Sequence, residues 1–305
     1  MSAVDTFDAR QVRRAFSRAA AGYDAAASLQ REVEAQLLES LDYHATRHGT
    51  ERLPQCVLDL GSGTGRAAMA MRGRWPKAQV VAIDLALPML REARRRERWH
   101  PLRRNIDRVC ADARALPFAA DSVDLLFSNL CLQWVDDLPA VFAGFRRVLR
   151  PGGMLLVSTF GPDTLYELRE AFAEADADTQ HVSPFASIAQ FGDALMHAGF
   201  RDPVLDRDVT HSRYPDLPAL MRELRTLGAT NALHTRRHTL TGKARFARAA
   251  EAYARGFGDG NGLPASWEII TAMAWAPPAG APIREQGSEI ASFPASNIPI
   301  RRRAP

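Results

Sequence analysis

Two aspartates close apolar runs in a way that suits recognition of a nucleoside. Asp84 follows Val80-Val81-Ala82-Ile83, and Asp112 follows Val109-Cys110-Ala111. A carboxylate at the first place can accept hydrogen bonds from both hydroxyls of a ribose, and one at the second can reach the exocyclic amine of an adenine. Helix capping is the ordinary alternative for Asp84. Upstream, Val57-Leu58-Asp59-Leu60 passes into Gly61-Ser62-Gly63-Thr64-Gly65 and then into a helix-favouring run over 66–72. Glycines permit a sharp turn and close approach of a ligand, and the free N–H groups at a helix start suit a polar group. Such a turn fits a dinucleotide, S-adenosylmethionine or no ligand at all. Ser128-Asn129-Leu130 ends another apolar run and precedes Gln133-Trp134, a polar strand end able to hold an amino-acid moiety beside the glycines. Trp134 fits core packing equally well.

These residues need a scaffold that brings strand ends together. Apolar strand patterns at 57–60, 80–84, 108–111, 123–128 and 154–159 alternate with helical or loop segments. The alternation predicts an α/β fold with a doubly wound, mainly parallel sheet and helices on both faces. Right-handed crossovers then place the loops after the strands along one edge, where such sheets bind ligands. Pro151-Gly152-Gly153 reads as a turn before the fifth strand, after a helix with Val141, Phe142, Phe145, Val148 and Leu149 on its apolar side. Later come helical patterns at 163–175, 188–198, 217–227 and 244–253, and strands at 204–209 and 267–275. At the N-terminus, helical spacing over 9–20 and 28–48 flanks Gly22-Tyr23-Asp24, a break that sets one aromatic hydroxyl at a bend.

Composition is that of an ordinary globular chain, 46% hydrophobic and 24% charged in 305 residues, with a formal charge of +4. The positive excess is spread along the chain and favours an acidic partner over a basic one. Cys56, Cys110 and Cys131 form no CxxC pair, which predicts reduced, buried thiols and no metal site. No apolar run is long enough to span a bilayer and no secretory leader is recognised, so the expected location is the cytoplasm, with neither membrane nor nucleic acid as partner.

Leu58-Asp59-Leu60-Gly61-Ser62-Gly63-Thr64-Gly65, Asp84, Asp112-Ala113 and Leu149-Arg150-Pro151-Gly152-Gly153 together, in that order, resemble class I S-adenosylmethionine-dependent methyltransferases. The resemblance implies a Rossmann-like seven-stranded sheet whose last strand lies antiparallel beside the fifth, with a helical insertion between the last two strands. It implies S-adenosylmethionine as cofactor and S-adenosylhomocysteine as product. The cofactor-binding residues carried over are Asp59, Gly61, Ser62, Gly63, Gly65, Asp84, Leu85, Asp112, Ala113 and Asn129.

Outside the core, Phe16-Ser17-Arg18-Ala19-Ala20, Tyr23-Asp24, Leu29-Gln30, Gln133-Trp134, Leu224 to Asn231, Leu240-Thr241-Gly242 and Leu263 to Glu268 resemble the malonyl-acyl-carrier-protein O-methyltransferases of biotin synthesis. The match reaches about residue 276. It implies methylation of the free carboxylate of a malonyl thioester on acyl carrier protein, with Tyr23 catalytic and Gln133, Trp134 and Phe185 in the substrate pocket. An acidic carrier would dock on Arg222, Arg225, Arg236, Arg237, Lys243, Arg245 and Arg248, which a solvated helix face explains equally well. The expected division is an N-terminal helical cover at 1–50, a methyltransferase domain at 51–276 with a lid insertion at about 215–262, and an irregular tail at 277–305. Three other readings stand beside this one. They are another small acid or quinone precursor as acceptor, a methyltransferase-fold assembly factor like the complex I arginine hydroxylase, which Gly161 to Arg169 also resembles, and a nicotinamide dehydrogenase.

Overall fold

The computed structural model describes residues 6–43, 53–97, 104–237, 239 and 242–281, together with the backbone of 283–285 and 288–290. The end of the helical pattern at 44–48, Leu240-Thr241 and most of the tail lie outside these residues. Seven strands form one sheet: β1 (Cys56–Leu60), β2 (Gln79–Asp84), β3 (Asp107–Cys110), β4 (Val123–Ser128), β5 (Leu149–Phe160), β6 (Arg201–Tyr214) and β7 (Leu263–Trp275). Their order is β3-β2-β1-β4-β5-β7-β6. β1 to β5 pair in parallel, whereas β7 runs antiparallel to both β5 and β6. The topological switch lies between β1 and β4, so the ends of these two strands open the crevice in which an open α/β sheet binds its ligand.

Helices are α1 (Ala9–Ala19), α2 (Tyr23–Ala26), α3 (Ser28–Glu39), α4 (Arg66–Arg74), α5 (Leu87–Arg96), α6 (Leu138–Val148), α7 (Tyr166–Ala175), α8 (Ile188–His197), α9 (Leu217–Thr226) and α10 (Lys243–Phe257). One sheet face packs Leu58, Val81, Leu126, Leu155 and Val157 beneath α6 and α8, where Phe142 meets Phe145, Phe191 and Phe200 edge to face. The opposite face packs Val57, Val80, Leu125, Phe127 and Met154 with Met71 of α4 and Leu37 of α3. A third cluster joins α7, α9 and α10 through Leu168, Phe172, Leu220 and Tyr253. The sequence between β6 and β7 thereby becomes a helical layer at the ligand edge. No helix among the described residues is long and apolar enough to cross a membrane.

Four local expectations change. The bend at Tyr23 is a short helix, α2, and the next helix stops at Glu39. β5 runs through Pro151-Gly152-Gly153 rather than beginning after it, taking up the glycines at a register shift against β4, with Gly152 at φ +75°. Strand 204–209 extends to 201–214 because the antiparallel β7 offers it a full-length partner. Cys110 is exposed, since β3 is an edge strand; all three cysteines are free thiols.

Phe142 is fully buried among three aromatic neighbours. Phe142→Ala is expected to lower unfolding stability by about 3–5 kcal/mol through lost burial and a residual cavity, as measured by denaturant titration.

Candidate active site

The glycine turn takes its shape from three positive φ angles and one carboxylate. Gly61, Gly63 and Gly65 have φ +68°, +52° and +76°. The Ser62 N–H donates to the Ile83 carbonyl at 2.9 Å, tying the turn to β2. Asp84 then accepts from the Gly63 N–H at 2.9 Å with one oxygen and from the Ala86 N–H at 2.7 Å with the other. A Cβ on Gly61 would stand 2.5 Å from the Cys131 side chain, and one on Gly65 would stand 2.8 Å from Ala93. Gly61 therefore lets the turn pack against Cys131, while Gly65 lets α4 approach α5.

Three carboxylates in this region are pushed toward neutrality, Glu34 among them by burial. Burial, the Glu34 charge and that of Asp84 raise Asp59 to about 8, against the Ala68 N–H that it accepts at 2.9 Å. Burial raises Asp84 to about 6, against its two backbone hydrogen bonds. A cationic ligand would reverse both effects. Burial raises the Tyr23 phenol far above its ordinary value, and the charges of Asp84 and Glu34 add to this, so the hydroxyl stays protonated and serves as a donor. Burial likewise pushes the Cys131 thiol up to about 12 and leaves it inert.

A cleft lined by Leu60, Gly61, Gly63, Asp84, Leu85, Asp112, Ala113, Asn129 and Trp134 is closed on one side by Phe7, Phe16 and Tyr23 from the N-terminal segment. Asp112 is half-buried and held by Arg114, whose Nε and Nη2 donate at 3.0 and 2.6 Å. Asn129 is fixed rather than free: its amide donates to the Gln30 carbonyl at 3.0 Å and accepts from Ser158 Oγ at 2.8 Å. Gln133 Nε2 donates to the Leu130 carbonyl at 2.7 Å, and Leu130 itself sits at φ +47°. Trp134 is an edge-to-face partner of Phe7 and Phe16.

A recess on the other side of the glycine turn was not legible in the motifs. Gln30, Arg31 and Glu34 of α3 line it with Asp24, Asp59, Ser62, Thr64 and Arg66. Gln30 Oε1 and Ser62 Oγ are buried there without a hydrogen-bond partner. Thr64 Oγ1 donates to Asp24 at 2.7 Å, which also pairs with Arg96, and Arg31 donates to the Asp24 carbonyl at 2.5 Å. Only the i, i+4 spacing of Gln30 and Glu34 on one helix face hinted at this wall.

Trp134 also borders a second cavity of about 390 Å³. Its apolar wall includes Phe160, Leu168, Phe172, Phe185 and Leu224, with Phe185 set edge-on against Phe160. Its polar wall carries Gln133, His181, Thr230, Arg225, Arg236 and Arg237 but no aspartate or glutamate among the described residues. Of the seven docking candidates between β6 and β7, Arg236 pairs with Asp8, Arg237 and Arg245 pair with Asp176, and Arg248 donates to the Ala175 carbonyl. Arg222, Arg225, Lys243 and Arg248 are exposed.

The site fits a nucleoside sulfonium carrying an amino acid. Asp84 lies at the cleft edge where a ribose could meet it, and Gln30 Oε1 and Ser62 Oγ offer unpartnered polar atoms to a zwitterion. Together with the seven-stranded sheet, this defines an S-adenosylmethionine-dependent methyltransferase. A methyltransferase-domain family model matches residues 58–157. The chain is 59% identical over 298 residues to the malonyl-acyl-carrier-protein O-methyltransferase of Xylella fastidiosa (strain M23), covering 97% of this chain and 98% of that one. It is 42% identical to the protein of the same name from Halorhodospira halophila, covering 98% of each. The crystal structure of the YcgJ protein of Bacillus subtilis shares the fold at a TM-score of 0.53 and 16% identity, over 78% of this chain and 98% of that one. The chain belongs to the malonyl-acyl-carrier-protein O-methyltransferase family.

If ribose hydroxyls donate to Asp84, they need it ionised, and S-adenosylmethionine is cationic. Because the Asp84 pKa is raised to about 6 in the free protein, S-adenosylmethionine affinity should fall as pH drops below that value, approaching about tenfold per pH unit for one proton. Calorimetric titrations at several pH values check this, and Asp84→Asn should bind weakly and lose the part of the slope that sets in near pH 6, keeping only that of the neighbouring raised carboxyl Asp59.

Proposed function

We propose that the protein transfers a methyl group to the free carboxylate of a malonyl thioester carried by acyl carrier protein, in the cytoplasm, making the methyl ester used in biotin synthesis. The observation that carries the reading is the charge contrast across Trp134. Carboxylates Asp24, Glu34, Asp59, Asp84 and Asp112 outnumber Arg31, Arg66 and Arg114 on the donor side, whereas the cavity beyond Trp134 presents arginines and a histidine and, among the described residues, no carboxylate. A cationic donor and an anionic acceptor are thus each drawn to their own side.

S-adenosylmethionine supplies an electrophilic methyl carbon on sulfur. A malonyl carboxylate is ionised at neutral pH, so the oxygen that attacks needs no proton removed, and none is released. The chain therefore needs no general base, in keeping with a Tyr23 phenol held protonated. What remains is alignment and exclusion of water. In this reading Asp84 and the glycine turn fix the nucleoside, and Gln30, Ser62 and Arg31 hold the amino-acid end. Gln133 and Trp134 form the doorway to the acceptor, and Phe185 walls its cavity. Tyr23 donates a hydrogen bond from the cover that α1 to α3 form over the cleft. The layer of α9 and α10 is a lid, and its exposed Arg222, Arg225, Lys243 and Arg248 offer an acidic carrier a docking face.

Incubation of the purified protein with S-adenosylmethionine and malonyl carrier protein should yield a base-labile methyl ester by mass spectrometry. Equal rates on carrier protein, malonyl-CoA and free malonate would remove the docking role. Tyr23→Phe should reduce kcat by about tenfold, the scale of one lost hydrogen bond, with little change in cofactor affinity; unchanged turnover would exclude the hydroxyl from the reaction.

A further inference from the structure

Three polar groups that line the cavity beyond Trp134 are buried without a partner: Gln133 Oε1, Thr230 Oγ1 and Arg237 Nε. Each is costly to leave unsatisfied. Thr230 Oγ1 and Arg237 Nε are donors, whereas Gln133, whose Nε2 is taken by the Leu130 carbonyl, leaves an acceptor oxygen. Two donors in one cavity, one of them on a guanidinium, suit an oxyanion.

Arg237 is held for this task from behind. Its Nη2 donates to Asp176 Oδ1 at 2.9 Å and to Thr179 Oγ1 at 2.9 Å. Asp176 has a side chain only 4% exposed and also meets His181 at 3.1 Å and Arg245 at 3.5 Å. His181 in turn stacks on Phe172, with centroids 4.1 Å apart. Burial alone would raise the Asp176 carboxyl, but His181, Arg237 and Arg245 outweigh it and hold the group below its ordinary value. One carboxylate facing two guanidiniums leaves a positive excess, and the cavity lining adds Arg225 and no acid.

We propose that Arg237, with Thr230, binds an oxyanion of the acceptor. The inference rests on the reading of the acceptor as a malonyl thioester. Such an acceptor brings two oxyanions, the malonyl carboxylate and the phosphodiester of its pantetheine arm, and either can accept from the Arg237 Nε. If the carboxylate is the one held, the reaction itself ends the attraction: the new O–C bond replaces the methyl–sulfur bond, and both the negative charge of the acceptor and the positive charge of the donor disappear.

The test compares wild type, Arg237→Gln and Thr230→Val on two methyl acceptors, malonyl-N-acetylcysteamine and malonyl-phosphopantetheine. Only the second contains a phosphate. The expected result for Arg237→Gln is a loss of kcat/KM of about tenfold or more, carried mainly by KM, with S-adenosylhomocysteine affinity unchanged. Thr230→Val, which keeps the side-chain shape and the Asp176 cluster, should shift KM in the same direction. A loss on both acceptors identifies the carboxylate as the bound group; a loss on the phosphorylated acceptor alone identifies the phosphodiester. Unchanged KM on both, in either folded variant, overturns the proposal. A wild type that methylates neither acceptor nor malonyl carrier protein overturns instead the reading of the acceptor.

Discussion

One carboxylate sets the geometry on which the donor side depends. Asp84 closes β2, and its two oxygens are taken by the Gly63 and Ala86 N–H groups, so strand end, glycine turn and the start of α5 are fixed relative to one another. The turn could not hold the same path with side chains at Gly61 or Gly65, where Cys131 and Ala93 already occupy the space. The arrangement leaves Asp84 partly desolvated and raised in pKa. Its remaining acceptor capacity becomes most favourable when hydroxyl donors and a positive charge arrive together.

The second organising effect is the separation of charge. α2 and α3 bring acidic groups to the glycine turn, whereas the long excursion between β6 and β7 brings arginines to the other side of Trp134. Neither segment belongs to the parallel core. The sheet supplies a rigid edge, and the two additions give that edge opposite polarities on its two sides. Loops and appended helices on a fixed scaffold are where a common fold acquires a particular chemistry.

Much of this was readable in the chain. The strand–helix alternation gave the sheet, and the aspartate read at the end of β2 does lie there beside the glycine turn, because both depend on short-range pattern. The family resemblance placed β7 antiparallel beside β5. What stayed hidden depends on distant partners. Arg236 meets Asp8, 228 residues away, and Arg237 meets Asp176 across 61 residues. A run of arginines reads as a basic surface until those acids are known, and three of the seven docking candidates turn out to be in ion pairs. Gln30 and Arg31 were hidden for the opposite reason: in an amphipathic helix they look like ordinary polar surface, and only the path of the glycine turn makes them a wall.

The antiparallel insertion of β7 leaves β6 as the sheet's outer margin, 14 residues long and exposed along most of its length. A long open edge of unpaired backbone invites another chain to add itself as a strand. β6 carries Arg201, Asp202, Asp206, Arg207, Asp208, His211 and Arg213, with a register shift near its start where Asp202 adopts φ +49°. Charge and irregularity make this margin a poor template for aggregation.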